Sequence, residues 1–239
     1  MNTKQITAVL FDWDLTLAHI LGDVTAAEKT AAVFQRGGLN FTPSQMQEAM
    51  NLYEHDTRTG KARGFHKPQT RREITYYYRQ LLLRLGHKET NRDFLNYLYS
   101  AYAYLPTFLY DDALPLLESL QQRGYQLGII SNHANSARPT MEKFVGDYIP
   151  PHHMIISQEI DVHKPAKTIF RRAASRLRVS PAACMLVGDN LCVDAIGAVR
   201  QGQFGKGLWL DRKGVGTDKP LPHGVARITS LQQVYNYLV

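Results

Sequence analysis

The chain begins with a short run of apolar residues, and two acidic residues follow it at once. Ala8 to Phe11 is a continuous apolar segment, and Asp12 and Asp14 come directly after it. A short apolar run bounded by polar residues is typical of a buried strand. The pattern therefore predicts a first β-strand that ends at a pair of carboxylates.

From about residue 24 to residue 105 the apolar positions recur at helical spacing. Gly37 and Gly38 are stop signals, Thr42 to Gln45 has the pattern of a capping box with proline at the first helical position, and Pro106 is a second stop. We predict four helices, over about 24–36, 43–55, 69–85 and 90–104. Four successive helices with no strand pattern between them predict an α-helical bundle.

After Pro106 helical and strand patterns alternate along the chain. The predicted strands are Gln126–Ile130, Met154–Ile156, Cys184–Val187, Leu208–Leu210 and Ala226–Ile228, and helical patterns separate them and follow the last one from about Leu231. Alternating strands and helices predict a parallel sheet with helices on both faces. We therefore predict an α/β, Rossmann-like core, to which the first strand belongs, with the four helices inserted after that strand.

Composition places the chain among ordinary globular proteins. Of its 239 residues 44% are hydrophobic and 21% are charged, which argues against disorder, collagen and coiled coil. No apolar run approaches the ~18 residues of a membrane span, and the run Ile6 to Phe11 is too short for a signal peptide. Cys184 and Cys192 can build neither a disulfide framework nor a zinc site. We expect a cytoplasmic protein with no membrane partner.

The formal net charge of +7 makes the chain moderately basic. Such a charge can steer anionic ligands, and it can equally serve solubility alone. The basic residues are spread along the chain and no nucleic-acid motif accompanies them. We expect no nucleic-acid partner.

Polar residues follow four of the predicted strands at the point where each strand ends. They are Asp12, Asp14 and Thr16 after the first strand, Ser131 and Asn132 after the second, Lys164 in the loop after the third, and Asp189, Asn190 and Asp194 after the fourth. Ligands bind beyond the carboxyl ends of the strands in a sheet of this kind. We therefore expect four carboxylates, one lysine and one hydroxyl to meet at one edge of the sheet.

Such a group of carboxylates needs a compensating charge. Two like charges ~4 Å apart repel by about 4 kcal/mol at an effective dielectric constant of 20, so either some carboxyls are protonated or a metal ion lies among them. Mg²⁺ suits an all-oxygen site and shares its coordination shell with a substrate phosphate. The cluster therefore predicts a Mg²⁺-dependent site for phosphoryl transfer.

Four short motifs resemble those of the haloacid dehalogenase-like superfamily in their order and strand context. They are Asp12-x-Asp14-x-Thr16, Ser131-Asn132, Lys164-Pro165 and Gly188-Asp189-Asn190-x-x-x-Asp194. The resemblance covers residues 1–17 and 108–239 as a catalytic core, and it identifies residues 18–107 with the helical cap of that superfamily.

The resemblance also implies a role for each of these residues. Asp12 would be the nucleophile that becomes an aspartyl phosphate, and Asp14 would act as general acid and then as general base. The phosphoryl group would be bound by Ser131, Asn132 and Lys164. Mg²⁺ would be bound by Asp12, the main-chain carbonyl of Asp14, and Asp189. Thr16, Asn190 and Asp194 would support these groups.

Asp14 favours a phosphatase or a phosphomutase over a dehalogenase, because phosphate-ester hydrolysis needs a proton donor for the departing oxygen. Leu15 departs from the superfamily pattern, in which Gly or Asn is commoner. We predict a phosphatase of a small soluble phosphomonoester, acting as a monomer or a homodimer. A sugar phosphomutase, a 2-haloacid dehalogenase and a phospho-ligand-binding module without turnover stay open, and the motifs do not name the substrate.

The inserted helical block carries a basic segment, residues 56–72. Its cations are Arg58, Lys61, Arg63, Lys67, Arg71 and Arg72, against a single acid. A solvated basic loop is the favoured interpretation, and contact with a second anionic group of the substrate is the alternative. His66 and His133 lie near candidate site loops, but lone histidines are usually not catalytic, and we predict no role for them.

Overall fold

The structure of the protein is a computed structural model that describes residues 5–22, 24–65, 68 and 70–238. The chain divides into two compact units. One comprises residues 1–19 and 108–239, and we call it the sheet unit; the other comprises residues 20–107, and we call it the helical unit. The assignment of these units as catalytic core and cap stays a prediction.

Eight strands and nine α-helices lie within the described residues. The strands are β1 (Ala8–Phe11), β2 (Ala18–Ile20), β3 (Thr107–Leu109), β4 (Gln126–Ser131), β5 (Met154–Ile156), β6 (Cys184–Gly188), β7 (Lys206–Leu210) and β8 (Val225–Ile228). The α-helices are α1 (Ala26–Arg36), α2 (Pro43–Arg58), α3 (Arg71–Arg84), α4 (Arg92–Ala101), α5 (Ala113–Gln122), α6 (Arg138–Val145), α7 (Ser157–Ile160), α8 (Lys167–Arg176) and α9 (Gly197–Arg200). A π-helical segment, Leu191–Ile196, precedes α9.

The sheet unit is built on a six-stranded parallel sheet in the order β5-β4-β1-β6-β7-β8. Phe11, the last residue of β1, lies level with Ile129 of β4 and Val187 of β6. The carboxyl ends of these three strands therefore meet at one edge. The predicted parallel α/β fold is confirmed.

Both faces of this sheet are buried. Ala8, Leu10 and Ile130 pack on one face with Ile169 and Phe170 of α8. The alternate residues of β1, Val9 and Phe11, point to the opposite face and are also fully buried. The strands of an α/β sheet that is covered on two sides are nearly continuous apolar runs. For this reason the run Ala8 to Phe11 could be recognised as a strand from the sequence.

The helical unit contains α1 to α4, as the sequence predicts. Capping boxes open the first three helices, where Thr25, Thr42 and Thr70 each accept a hydrogen bond from the third helical N–H. Its core includes Phe34, Met46, Leu81, Leu82 and Leu98, all fully buried. The fourth predicted helix is shorter than expected, because α4 ends at Ala101 and a 3₁₀ turn, Tyr102–Tyr104, completes the segment.

A two-stranded sheet formed by β2 and β3 was not predicted. It is flanked by hydrogen bonds from the Leu21 N–H to the Pro106 carbonyl, at 2.9 Å, and from the Tyr110 N–H to the Leu17 carbonyl, at 3.0 Å. These two bonds give the pair an antiparallel register. The chain passes between its two units at residues 19/20 and 107/108, within this sheet.

The end of the chain also differs from expectation. The final helix predicted from Leu231 is a 3₁₀ helix, Leu231–Tyr237. Among the described residues, we find no helix whose length and apolar character suit a membrane span.

Candidate active site

Most of the predicted site residues lie at or after the ends of β1, β4 and β6, where the carboxyl ends of these strands meet, and Lys164 lies in the loop between α7 and α8. Asp12 comes directly after β1, and its N–H donates to the Val187 carbonyl of β6 at 2.9 Å. Ser131 is the last residue of β4, and Asp189 comes directly after β6. Asp12 and Ser131 are both buried.

Lys164 lies between two carboxylates at this edge. Its Nζ donates to Asp12 Oδ1 at 2.6 Å and lies 2.7 Å from Asp194 Oδ1. All three side chains are nearly inaccessible to solvent. Burial alone would lower the pKa of Lys164, but the two adjacent carboxylates raise it above its ordinary value. The lysine is therefore held in its charged form.

The backbone of Lys164 is fixed by Asn132. The Lys164 N–H donates to Asn132 Oδ1 at 2.7 Å, and Asn132 Nδ2 donates to the Lys164 carbonyl at 3.0 Å. This reciprocal pair joins the loop after β4 to the loop that carries the lysine. Asn132 thus positions Lys164, and its predicted contact with a phosphoryl group stays a prediction.

Three carboxylates form a compact group at this edge. Asp12, Asp189 and Asp194 each offer an oxygen, and these oxygens all lie within 4.8 Å of one another. Burial raises the pKa of Asp12 and of Asp194, although the ion pairs with Lys164 act in the opposite direction. An all-oxygen donor set with more acids than bases fits a hard divalent cation. The carboxylate of Asp14 is not in this group, so its predicted share in metal binding depends on its main-chain carbonyl.

The loop after β6 holds Asp194 by close packing. A Cβ at Gly188 would lie 2.5 Å from both Cβ and Cγ of Asp194, so only glycine leaves room for this carboxylate. Asp194 Oδ2 accepts a hydrogen bond from the Asn190 N–H at 3.0 Å. Asn190 Oδ1 in turn accepts from the N–H groups of Cys192 and Val193, both at 3.1 Å, and so caps the π-helical segment.

Thr16 supports the same loop. Its buried Oγ1 accepts a hydrogen bond from the Asp189 N–H at 3.1 Å. Its carbonyl accepts from Arg212, whose guanidinium also makes two hydrogen bonds to Asp112, at 2.8 and 3.0 Å. Arg212 therefore ties the loop after β1 to the start of α5, and no sequence motif pointed to it.

Asp14 lies beside a histidine. Its Oδ2 is 3.5 Å from His133 Nε2, whereas its buried Oδ1 has no hydrogen-bond partner within the part of the chain that the structure describes. His133 itself is buried. Sequence reasoning assigned this histidine no role, because a single histidine after a strand carries no signal of its own.

Leu15 has left-handed backbone geometry, with φ at 60°. Its N–H donates to the Ala18 carbonyl at 2.7 Å and closes a tight turn after Asp14. Gly and Asn adopt this conformation more readily than other residues. Leu15, where this chain departs from the superfamily pattern, therefore has a backbone conformation that favours Gly or Asn.

The basic segment of the helical unit is not a single loop. Arg58 belongs to α2 and pairs with Glu54 at 2.8 Å on an exposed surface. Arg71 and Arg72 begin α3 and, with Arg79 and Arg92, line a cavity of about 380 Å³. His66 and Lys67 lie outside the described residues. Contact of these cations with a second anionic group stays the untested alternative to a solvated basic segment.

Several known proteins resemble this chain in sequence. A family model described as haloacid dehalogenase-like hydrolase matches residues 6–202. The chain is 32% identical over 206 residues to the glyceraldehyde 3-phosphate phosphatase of Methanopyrus kandleri, covering 83% of this chain and 82% of that one. It is 31% identical over 201 residues to the ribulose-1,5-bisphosphate 5-phosphatase of Halopiger xanaduensis, covering 80% of each.

Solved structures show the same fold at lower identity. The magnesium-bound HAD-hydrolase YfnB from Bacillus subtilis superposes with a TM-score of 0.72, at 20% identity, over 98% of this chain and 99% of that one. The family model matches most of the chain. This chain belongs to the haloacid dehalogenase-like hydrolases.

Proposed function

We propose that this hydrolase is a Mg²⁺-dependent phosphatase of small phosphomonoesters, which acts through an aspartyl phosphate on Asp12. The observation that carries the proposal is the contact of one buried lysine, Lys164, with Asp12 and Asp194 beside Asp189. A carboxylate next to a fixed cation and a set of oxygen ligands is suited to attack on phosphorus. The names of the two archaeal relatives support a phosphatase.

Mg²⁺ would be held by the carboxylates of Asp12 and Asp189 and by the main-chain carbonyl of Asp14. Asp194 would support the site through its contacts with Lys164 and the Asn190 N–H. When bound, the ion neutralises charge on the phosphoryl oxygens.

In the first step, a carboxylate oxygen of Asp12 attacks phosphorus in line with the leaving oxygen. A bond forms between Asp12 and phosphorus, the bond from phosphorus to the leaving oxygen breaks, and Asp14 gives its proton to that oxygen. Lys164, Ser131 and Asn132 stabilise the charge of the transferring group. The products are the free alcohol and phosphorylated Asp12.

In the second step, water attacks the aspartyl phosphate. Asp14, now a carboxylate, removes a proton from the water as the new oxygen–phosphorus bond forms. The bond between phosphorus and Asp12 breaks, inorganic phosphate leaves, and both aspartates return to their starting forms. One residue thus serves as acid and then as base.

We assign the sheet unit as the catalytic core and the helical unit as the cap that selects the substrate, within the predicted bounds 1–17 with 108–239, and 18–107. We also propose a cytoplasmic enzyme that acts as a monomer or a homodimer. The names of the relatives make glyceraldehyde 3-phosphate and ribulose 1,5-bisphosphate the first substrates to test.

The test is phosphate release from a panel of phosphometabolites by the purified protein, with Mg²⁺ and with a chelator. We expect release only with Mg²⁺, none from Asp12→Asn, and unchanged release from the matched control Asp218→Asn, whose side chain is exposed. Mass spectrometry of quenched wild-type protein should find a phosphoryl group on Asp12. Mg²⁺-dependent release that survives in Asp12→Asn would overturn the mechanism, and turnover that needs a bisphosphate primer and releases no phosphate would indicate a mutase.

A further inference from the structure

We propose that His133 is a positioning residue for Asp14: its Nε2–H holds one carboxylate oxygen and so fixes the orientation of the carboxyl group that would protonate the leaving oxygen. The inference rests on the proposed function, because it concerns the residue that would protonate the leaving group. It adds a residue that lies outside the four sequence motifs.

A hydrogen bond to one nitrogen of the His133 ring fixes its tautomer. The Ala134 N–H donates to His133 Nδ1 at 2.8 Å, so Nδ1 is an acceptor. In a neutral imidazole the other nitrogen then carries the proton. Nε2 therefore points a donor at Asp14 Oδ2, which lies 3.5 Å away.

The backbone of His133 is also held in place. Its carbonyl accepts hydrogen bonds from Ser157 Oγ and from the Gln158 N–H, both at 3.3 Å. Together with the bond from Ala134, these contacts anchor a buried ring against the segment that follows β5. Asp14, by contrast, has a side chain that is 30% exposed and precedes the left-handed Leu15. The histidine is therefore the better-anchored partner of the two.

The two oxygens of Asp14 are thereby distinguished. Oδ2 faces His133, whereas buried Oδ1 has no hydrogen-bond partner among the described residues. A separation of 3.5 Å is long for a hydrogen bond, but catalytic hydrogen bonds are often long in the free enzyme and shorten with substrate. A donor at Oδ2 stabilises the carboxylate that remains once the proton of Asp14 has moved to the leaving oxygen.

The positioning role of His133 can be tested with two substrates, of which only one needs a proton on its leaving oxygen. An alkyl phosphate, the best one of the panel above, needs its leaving oxygen protonated, whereas p-nitrophenolate leaves without a proton. The quantity to compare is kcat/KM, because it covers the steps up to departure of the leaving group. A defect in positioning Asp14 should lower kcat/KM for the alkyl ester and spare p-nitrophenyl phosphate.

Two variants separate the two nitrogens of the ring. His133→Asn keeps an acceptor near Nδ1 for the Ala134 N–H and loses the donor at Asp14. His133→Gln keeps a donor near Nε2 and loses the acceptor at Ala134. We expect His133→Asn to lower kcat/KM for the alkyl ester about 10- to 100-fold, a part of the roughly 10²- to 10⁴-fold that general acid catalysis contributes. It should change kcat/KM for p-nitrophenyl phosphate by less than about threefold. His133→Gln should restore most of the loss.

The outcomes distinguish the two proposals. Equal losses on both substrates in His133→Asn, or a His133→Gln variant as defective as His133→Asn, would mean a structural role and overturn the inference while the phosphatase stands. A wild-type protein that hydrolyses neither substrate would overturn the proposed function, and the inference with it. Thermal unfolding checks that each variant is folded.

Asp14→Asn supplies a second measurement that does not depend on how well one variant folds. If His133 acts through Asp14, then His133→Gln and His133→Asn should have the same alkyl-ester activity in the Asp14→Asn background. A difference between them as large as in the wild-type background would show that His133 acts independently of Asp14.

Discussion

Replacement of Lys164 by methionine removes the cation that contacts both Asp12 and Asp194 and keeps most of the side-chain volume. The lysine Nζ lies 2.6 and 2.7 Å from the two carboxylates, and the lysine side chain is 2% exposed. Loss of one partner from a buried ion pair leaves an uncompensated charge and costs about 3–5 kcal/mol. We expect Lys164→Met to lower the free energy of unfolding by that amount in metal-free buffer at neutral pH.

The pH dependence of this cost follows from the raised carboxyl pKa values. Burial raises the pKa of Asp12 and of Asp194 above their ordinary values. A carboxyl with a raised pKa in the folded state binds protons more tightly there, so its contribution to stability is present at low pH and is lost as pH rises through the folded pKa. Removal of the lysine strengthens this effect. The cost of Lys164→Met should therefore shrink as pH falls from neutrality toward the ordinary carboxyl pKa.

A double-mutant cycle with Asp194→Asn measures the interaction directly. Urea unfolding followed by tryptophan fluorescence is the assay, because Trp13 and Trp209, the two tryptophans of the chain, both belong to the sheet unit. We expect a coupling free energy of about 1–3 kcal/mol that changes little with salt. The control cycle uses the exposed pair Arg58 and Glu54 of the helical unit, 2.8 Å apart and 71% and 64% exposed. It is followed by far-UV circular dichroism, which also reports on the helical unit, and should give at most about 0.5 kcal/mol.

The two coupling free energies together test whether Lys164 and Asp194 form a buried ion pair. If the Lys164–Asp194 coupling is no larger than that of the exposed control pair, the buried ion pair described here does not exist in solution. A coupling that disappears at high salt would have the same meaning, since buried charges are screened far less than exposed ones.

Two further predictions concern the turns that shape the site. Leu15→Gly relieves a left-handed residue, at φ 60°, and should raise the free energy of unfolding by about 0.5–1 kcal/mol, because relief of about 1–2 kcal/mol exceeds the entropic cost of glycine; urea unfolding that shows no gain would contradict this. Gly188→Ala should lower the free energy of unfolding by about 1–3 kcal/mol, displace Asp194 and abolish phosphate release. Gly38→Ala, at φ 79° with open space around it, should lower the free energy of unfolding and leave phosphate release unchanged. Equal phosphatase activity in these two alanine variants would show that Asp194 does not need the space at Gly188.

Much of the site could be predicted because its residues stand immediately after recognisable strands. Parallel strands carry their carboxyl ends to one edge, so the residues that follow β1, β4 and β6 had to meet once the sheet was recognised. The contact of Lys164 with Asp12 spans 152 positions of the chain and follows from that topology. The start of α2 was also predictable, since the capping box at Thr42 is a local signal, whereas α2 ends at Arg58 and not near the predicted residue 55.

Other features carry no such signal. β2 and β3 have three residues each, too few to show an alternation of apolar and polar positions. The contact between His133 and Asp14, and the link from Arg212 to the Thr16 carbonyl, depend on tertiary packing of single side chains. A pattern of residue types also does not record the π-helical form of residues 191–196 or the packing of Asp194 against Gly188.

The paired strands β2 and β3 bring the two ends of the 88-residue insertion side by side, through the bond of Leu21 to Pro106. The polypeptide thus leaves and re-enters the sheet unit at neighbouring points. A segment attached in this way behaves topologically as an enlarged turn, so its length and content can change while the strand order around it is untouched. A different helical segment could therefore be grafted onto the same two strands while the residues that follow β1, β4 and β6 keep their positions in the sequence.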